Sequence, residues 1–166
     1  YSTTKEISIE SIQSLKNLEN NSISYFPLIE TQGLLITNKD SKGIYIRSYE
    51  REDLNNKKFF KDNIVRGRIY SKESDEIIIG YALANRLDLT INDKVKIAIP
   101  KSDKTIFGNI PRFKTLIISG IFNIGMYEYD SNFIFSDPEI TRKLLLIKEG
   151  NFNQVEINTK NPNNII

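Results

Sequence analysis

The sequence lacks both residues on which many enzymes and metal sites depend. None of its 166 residues is cysteine, and none is histidine. The absence of cysteine excludes a disulfide framework and a thiolate metal site. The absence of histidine removes the commonest metal ligand, the usual general base at neutral pH and every nucleophile paired with an imidazole. The composition therefore argues against an enzyme, and it predicts neither a metal nor another cofactor.

A long apolar run and a strong net charge are also missing. No stretch of 18 apolar residues occurs, so the sequence predicts no transmembrane helix. The 23 lysines and arginines against 21 acidic residues give a formal charge of only +2, which does not favour nucleic acid or an anionic membrane. One local cluster of basic residues is diluted by neighbouring acids, and we interpret it as a solvated face rather than a nucleic-acid surface. It comprises Lys57, Lys58, Lys61, Arg66 and Arg68.

The remaining pattern is that of an α+β protein with strands and short helices in alternation. Strands are predicted from Ile23 to Thr37 with an interruption at Pro27, and again over Glu76–Gly80 and Gln154–Thr159. A helix is predicted over Tyr81–Leu87. The chain starts without methionine and ends just after Asn161-Pro162, a helix start, so we expect a piece excised from a longer protein.

Residues 94–122 form the part of the sequence around which the rest is organised. Val95, Ile97 and Ile99 alternate with more polar residues, as in a half-buried strand. Residues 116–118 are continuously apolar, as in a strand buried on both faces. The connection between these strands is far longer than a hairpin turn needs, and it carries Ile106, Phe107 and other apolar residues at its middle. Such a loop either packs back onto the sheet through Phe107 and Ile110 or contacts a partner.

Three stretches resemble a known family. They are IIIGYALANRLDLTINDKVKIAIP, FGNIPRFK and GIFNIGMYEYDSNFIF. Together they are similar to the periplasmic domain of the LolC and LolE membrane subunits of the bacterial lipoprotein-releasing ABC transporter. The resemblance implies a MacB-like periplasmic core of two lobes with a long protruding β-hairpin. Residues 1–49 and 154–166 would form a porter-like lobe, and residues 50–153 a sabre-like lobe that carries the 94–122 hairpin.

The resemblance also implies partners and a binding site. The domain would lie in the periplasm, attached to the bacterial inner membrane, and would recruit the LolA chaperone during lipoprotein transfer towards the outer membrane. A separate LolD-type ATPase and a second LolC/LolE-type subunit would join the full-length protein. The hook that captures the chaperone corresponds here to residues 100–111, with Pro100, Thr105, Ile106, Phe107, Gly108, Asn109, Ile110 and Pro111 as its site residues. A supporting pad corresponds to Lys96, Arg112, Phe113 and Lys114.

Two other functions remain open from the sequence. The first is a related MacB-type permease ectodomain, which would serve efflux or mechanotransmission and bind another envelope partner. The second is a soluble enzyme with Glu128 and Asp130 as paired carboxylates on one face of a strand, although the absence of histidine argues against it. No glycine-rich phosphate loop is present, so ATP hydrolysis is expected in another subunit.

Overall fold

The computed structural model describes the backbone of residues 6–18, 23–105 and 108–159. It also describes the side chains of these residues, except those within 100–110. Its helices are α1 Ile9–Lys16, α2 Arg51–Asn56, α3 Lys58–Lys61, α4 Tyr81–Leu87, α5 Tyr127–Asn132 and α6 Pro138–Leu145. Its strands are β1 Ile23–Ile36, β2 Ser41–Tyr49, β3 Ile64–Gly67, β4 Glu76–Gly80, β5 Lys94–Thr105, β6 Gly108–Phe122, β7 Phe133–Ser136 and β8 Gln154–Thr159. The α+β prediction agrees with this mixture. Within the described ranges, no helix is long and apolar enough to cross a bilayer.

Six strands pair into a closed ring. The order is β1-β2-β7-β4-β6-β5, and β5 pairs with β1 again to complete it. β8 extends from β1, and β3 pairs with β6. The pairs β2–β7 and β4–β6 are parallel, whereas the others are antiparallel. The ring joins strands from both predicted lobes, and the division of the chain into two lobes stays a prediction.

The length of β1 allows the ring to close. This strand pairs with β2 along Leu28–Ile36, and on its other side with β8 and then with β5. The predicted interruption at Pro27 is wrong. Pro27 lies opposite Val155 of β8, and the pairing with β2 begins only at the next residue. A residue without an N–H group is tolerated in a strand that lacks a partner on one side.

Apolar residues cover both faces of the ring. The largest cluster takes side chains from all six ring strands, and helices α4 and α6 pack against it. We call this side of the sheet the inner face. It includes Leu35, Ile46, Ile79, Ile97, Leu116 and Ile134. A second cluster on the outer face joins Tyr49, Phe122 and Phe135 to Leu54 of α2 and Phe60 of α3. Two buried layers thus fix the ring from both sides.

Several local signals in the sequence match the structure. Ser8 caps α1, since its hydroxyl oxygen accepts a hydrogen bond from the backbone N–H of Ser11 at 3.3 Å. Asp137 caps α6 in the same way, accepting from the N–H of Glu139 at 2.9 Å. Asn92 has a φ of 70°, the left-handed conformation predicted for its turn. Turn and cap chemistry therefore sets the bounds of these elements.

Candidate functional site

The predicted site lies on the antiparallel pair β5–β6. Near the ring, Val95 is opposite Leu116 and Ile99 is opposite Arg112. Further along, Asp103 is opposite Ile110. Between the Ile99–Arg112 pair and the Asp103–Ile110 pair, β5 therefore has two more residues than β6. The excess marks a bulge, and Pro100 lies in it, where a strand residue without an N–H group is tolerated.

Both strands continue where the sequence predicted a long loop. Pairing reaches Thr105 and Gly108, because the segment after the bulge resumes the antiparallel register. The predicted hook residues Pro100, Thr105, Gly108, Asn109, Ile110 and Pro111 therefore belong to strands. Ile106 and Phe107, between the two strands, lie outside the described residues. The loop of the prediction is thus replaced by strand over most of its length.

The segment beyond the ring is a two-stranded ribbon. Pairing of β5 with β1 covers only Lys96 to Ala98. Pairing of β6 with β4 begins at Ile117, and its pairing with β3 lies farther along. We call residues 100–111 the hairpin extension. Its described residues, 100–105 and 108–111, therefore have only each other as strand partners among the described pairings. A ribbon of two strands is marginal in stability by itself.

The four predicted pad residues do not form one surface. Lys96 and Phe113 point to the outer face, and the Lys96 ammonium nitrogen lies 5.7 Å from the centre of the Phe113 ring. Arg112 and Lys114 have inner-face positions, opposite Ile99 and Ile97. Arg112 donates to the Leu144 carbonyl at 3.3 Å, and Lys114 forms an ion pair with Asp75 at 2.9 Å. Lys96 and Phe113 thus share a surface that the other two do not.

An apolar row on the outer face was missed by the sequence reasoning. Leu34 of β1, Ala98 of β5 and Phe113 of β6 lie directly opposite one another across three strands. Leu34 is 43% exposed and Phe113 is 52% exposed, whereas Ala98 between them is only 4% exposed, so the solvent-exposed surface of the row comes from its two outer members. Each of these residues lies in a strand segment whose side chains alternate between the two faces, but only the register between the strands brings the three together. The row lies next to the base of the hairpin extension.

The carboxylates considered for catalysis have structural positions. The segment predicted as a strand is helix α5, so the prediction that Glu128 and Asp130 share a strand face is wrong. Asp130 is buried, and its carboxylate accepts hydrogen bonds from the N–H groups of Ile124 and Gly125, both at 3.0 Å. Glu128 is exposed. Among the residues that the structure describes, no group of three or more His, Cys, Asp or Glu side chains is placed to hold a metal.

The basic cluster of the sequence is also divided. Lys57 lies against Phe26, with its nitrogen 4.1 Å from the ring centre, and pairs with Glu156. Arg68 forms two hydrogen bonds to the carboxylate of Glu76, at 2.6 and 2.9 Å. The Arg68 guanidinium is the main reason why the pKa of Glu76 falls to about 2. Lys57 and Arg68 are therefore engaged in contacts within the fold, so the cluster does not act as one continuous basic surface.

The fold is similar to that of two solved domains from ABC-type transporters. The extracellular domain of the noncanonic ABC-type transporter YknZ from Gram-positive bacteria matches with a TM-score of 0.64, over 95% of this chain and 75% of that chain. The periplasmic region of MacB from Actinobacillus actinomycetemcomitans matches with a TM-score of 0.61, over 94% and 66% respectively. The identities are 10% and 9%, so these two matches concern the fold alone.

One relative is similar in sequence as well. The lipoprotein-releasing system transmembrane protein LolC of Neisseria meningitidis serogroup B is 25% identical over 120 residues, which are 71% of this chain and 29% of that protein. The chain thus spans less than a third of the relative's length. No family model matches the chain. Sequence and fold together confirm the predicted resemblance to a LolC-type periplasmic domain of an ABC transporter membrane subunit.

Proposed function

We propose that this chain is the periplasmic domain of a membrane subunit in a lipoprotein-exporting ABC transporter. The observation that carries the proposal is the similarity to LolC over 120 residues, together with a fold shared by two other transporter domains. The full-length protein would then be anchored in the bacterial inner membrane. It would assemble with a LolD-type ATPase and a second LolC/LolE-type subunit, and its cargo would be lipoproteins. The domain itself would be non-catalytic.

We further propose that the hairpin extension recruits a LolA-type chaperone. A chaperone for acylated proteins must present an apolar cavity, and burial of a Phe or Ile side chain there contributes roughly 1.5–3 kcal/mol. Phe107 and Ile106 stand at the sequence midpoint of the extension. The two-stranded pairing on both sides of them supports the proposal, because a paired ribbon loses less conformational freedom on binding than a free loop.

The outer-face row extends this proposal to the base of the hairpin. Lys96 and Phe113 would form the part of the pad that meets the chaperone, and Leu34 would join them. The exposed side chains of Leu34 and Phe113, with a lysine beside them, suit a partner whose apolar opening has an acidic rim. Arg112 and Lys114 would act indirectly, since their contacts with Leu144 and Asp75 hold β6 in place.

Binding to the organism's own LolA-type chaperone tests the hook. Calorimetry should detect binding by the unaltered chain, and its loss in Phe107→Asp and in a variant with residues 105–110 replaced by a Gly-Ser repeat. Ile157→Asp is the matched control, because Ile157 is 57% exposed on β8 and the change introduces the same charge. Thermal unfolding would establish that all variants are folded. Binding that survives both hairpin changes would place the interface elsewhere.

The likeness to MacB and YknZ favours one second candidate. A permease of that kind would use the domain to bind another envelope partner, for efflux or mechanotransmission. Failure of the unaltered chain to bind the LolA-type chaperone, together with capture of a different purified envelope component through residues 100–111, would select this function instead.

A further inference from the structure

A cleft on the outer face of the sheet has the size of a small-molecule site. Its volume is about 510 Å³. Its lining residues come from strands β1, β2, β7 and β8, from helices α2, α3 and α5, and from the segment that leads into α5. The lining is largely aromatic and apolar, and it includes Phe26, Tyr49, Phe59, Phe60, Met126 and Phe135. Small-molecule sites typically have volumes of roughly 300–1,000 Å³ and such a lining.

The floor of the cleft is tightly packed. Tyr49, Phe60 and Phe135 are only 2%, 6% and 5% exposed. The rings of Phe60 and Phe135 meet edge to face with 4.6 Å between their centres, and Tyr49 stacks on Phe135 at 6.2 Å. Because these rings fix one another, a ligand would enter a preformed shape and would not have to order its floor.

The polar wall of the cleft is electrically balanced. Lys57 donates to Glu156, and the Tyr49 hydroxyl donates to the same carboxylate at 2.6 Å. Burial raises the pKa of Glu156, but the hydrogen bonds from Lys57 and Tyr49 outweigh it and lower the pKa overall, so the carboxylate stays charged. Arg47, also in the lining, pairs with Glu30. These two pairs leave no net charge on the wall.

The mouth of the cleft combines exposed apolar surface with one remaining positive charge. Phe59 is 63% exposed and Met126 is 54% exposed, although both line the cleft. Lys58 also lines it and is exposed. The ion pairs found among the described residues do not include Lys58. Contiguous exposed apolar surface rimmed by polar residues is a feature of ligand-binding grooves.

We propose that this cleft binds an amphiphile that has an apolar body and one anionic headgroup. The apolar body would lie on the Tyr49, Phe60 and Phe135 floor and cover Phe59 and Met126. The headgroup would lie at the mouth beside Lys58, the charge that the wall does not neutralise. This site is separate from the hairpin extension and does not depend on the proposed chaperone contact.

A series of amphiphiles with one chain length tests the ligand class. Decanoate, decyltrimethylammonium and decyl maltoside, each below its micelle concentration, would be titrated into the whole chain by calorimetry. We expect decanoate to bind and the cationic analogue to bind about tenfold more weakly or not at all. Amide chemical shifts should move at the cleft residues Tyr49, Lys58 and Met126. Equal affinity for all three headgroups, or no binding of decanoate, would overturn the proposal.

Two pairs of exposed variants locate the site. Lys58→Glu should weaken decanoate binding about five- to tenfold, since it replaces attraction by repulsion, and Lys61→Glu should not. Lys61 is also exposed and lies outside the lining. Phe59→Asp should also weaken binding, whereas Val65→Asp, at a position 50% exposed and outside the lining, should not. Equal losses within either pair would contradict the proposed location.

Discussion

The pair β5–β6 has two parts that differ sharply in their surroundings. In the ring, β5 has β1 beside it and β6 has β4 beside it, and Val95 and Leu116 are 2% and 0% exposed. In the hairpin extension, the described residues 100–105 and 108–111 have only each other as strand partners among the described pairings. One pair of strands thus passes from the most buried layer of the molecule into a ribbon. Stability and partner binding are therefore expected to depend on different parts of the same two strands.

Truncation in the ring should have the largest effect. Leu116→Ala removes a fully buried side chain from the inner-face cluster and should lower the free energy of unfolding by about 2–5 kcal/mol. Urea denaturation followed by circular dichroism would measure it. Ile157→Ala, at an exposed position, should change stability by less than about 0.5 kcal/mol. Equal losses of unfolding free energy in Leu116→Ala and Ile157→Ala would mean that the interior of the ring is not tightly packed.

A methyl group added where strands crowd together should have the next largest effect. At Gly120 of β6, a Cβ atom would lie 2.4 Å from the carbonyl oxygen of Arg68 and 2.6 Å from Ile78 Cγ2. Gly120→Ala should therefore cost about 1–3 kcal/mol in the free energy of unfolding. At Gly43 of β2 nothing lies within 4 Å, so Gly43→Ala should instead stabilise by about 0.5–1 kcal/mol. The same denaturation experiment separates the two, and a gain at Gly120 would contradict this packing.

Acid should lower the stability of the ring near the point where the β5–β6 pair leaves it. Glu76 is opposite Ile117, where β4 first joins β6, and hydrogen bonding to Arg68 lowers its pKa from 4.5 to about 2. A lowered pKa stabilises the fold above about pH 4.5, and this contribution is lost as the pH falls towards 2. Glu76→Gln should be less stable than the unaltered chain at pH 6 and lose less stability from pH 6 to pH 2. The control Glu128→Gln, at an exposed position, should retain the full acid dependence.

The smallest effect on stability is expected at the base of the hairpin extension. Phe113 lies three residues before Leu116, on the opposite face, and is 52% exposed. Phe113→Ser should lower the free energy of unfolding by only about 1 kcal/mol, because about half of the side chain is exposed, while it weakens chaperone binding. Denaturation and calorimetry on the same protein would test both statements. A loss of more than about 3 kcal/mol would show that Phe113 belongs to the packed part.

The local elements were predictable where the sequence has one dominant signal. β4 and α4 have the predicted bounds, because a run of three isoleucines ends at Gly80 and a helical pattern follows at once. The segment MYEYDS, residues 126–131, was predicted as a strand although most of it lies in α5, since so short a helix shows little periodicity. The position of the Asp130 carboxylate, which binds two N–H groups before the helix, became evident only in the structure.

The ring and the cleft were not predictable, because both depend on register between distant segments. The pairing of Leu34 with Ala98 and then Phe113 joins three strands far apart in the sequence. The cleft similarly joins Phe26 to Lys57, Met126 and other residues that no local pattern relates. The lysines of the 57–61 segment were interpreted as one solvated face, whereas Lys57 lies over the Phe26 ring.

The pairing of β1 with β8 has a mechanical consequence. Ile23 and Thr159 lie opposite each other, and the pairing runs from them to Leu28 and Gln154. A force that separates Ile23 from Thr159 therefore pulls along the hydrogen bonds, which lie perpendicular to antiparallel strands. The bonds would break one after another, as in a zipper, rather than all together as in shear. Traction at these two points would peel β8 away at low force and leave the closed ring intact.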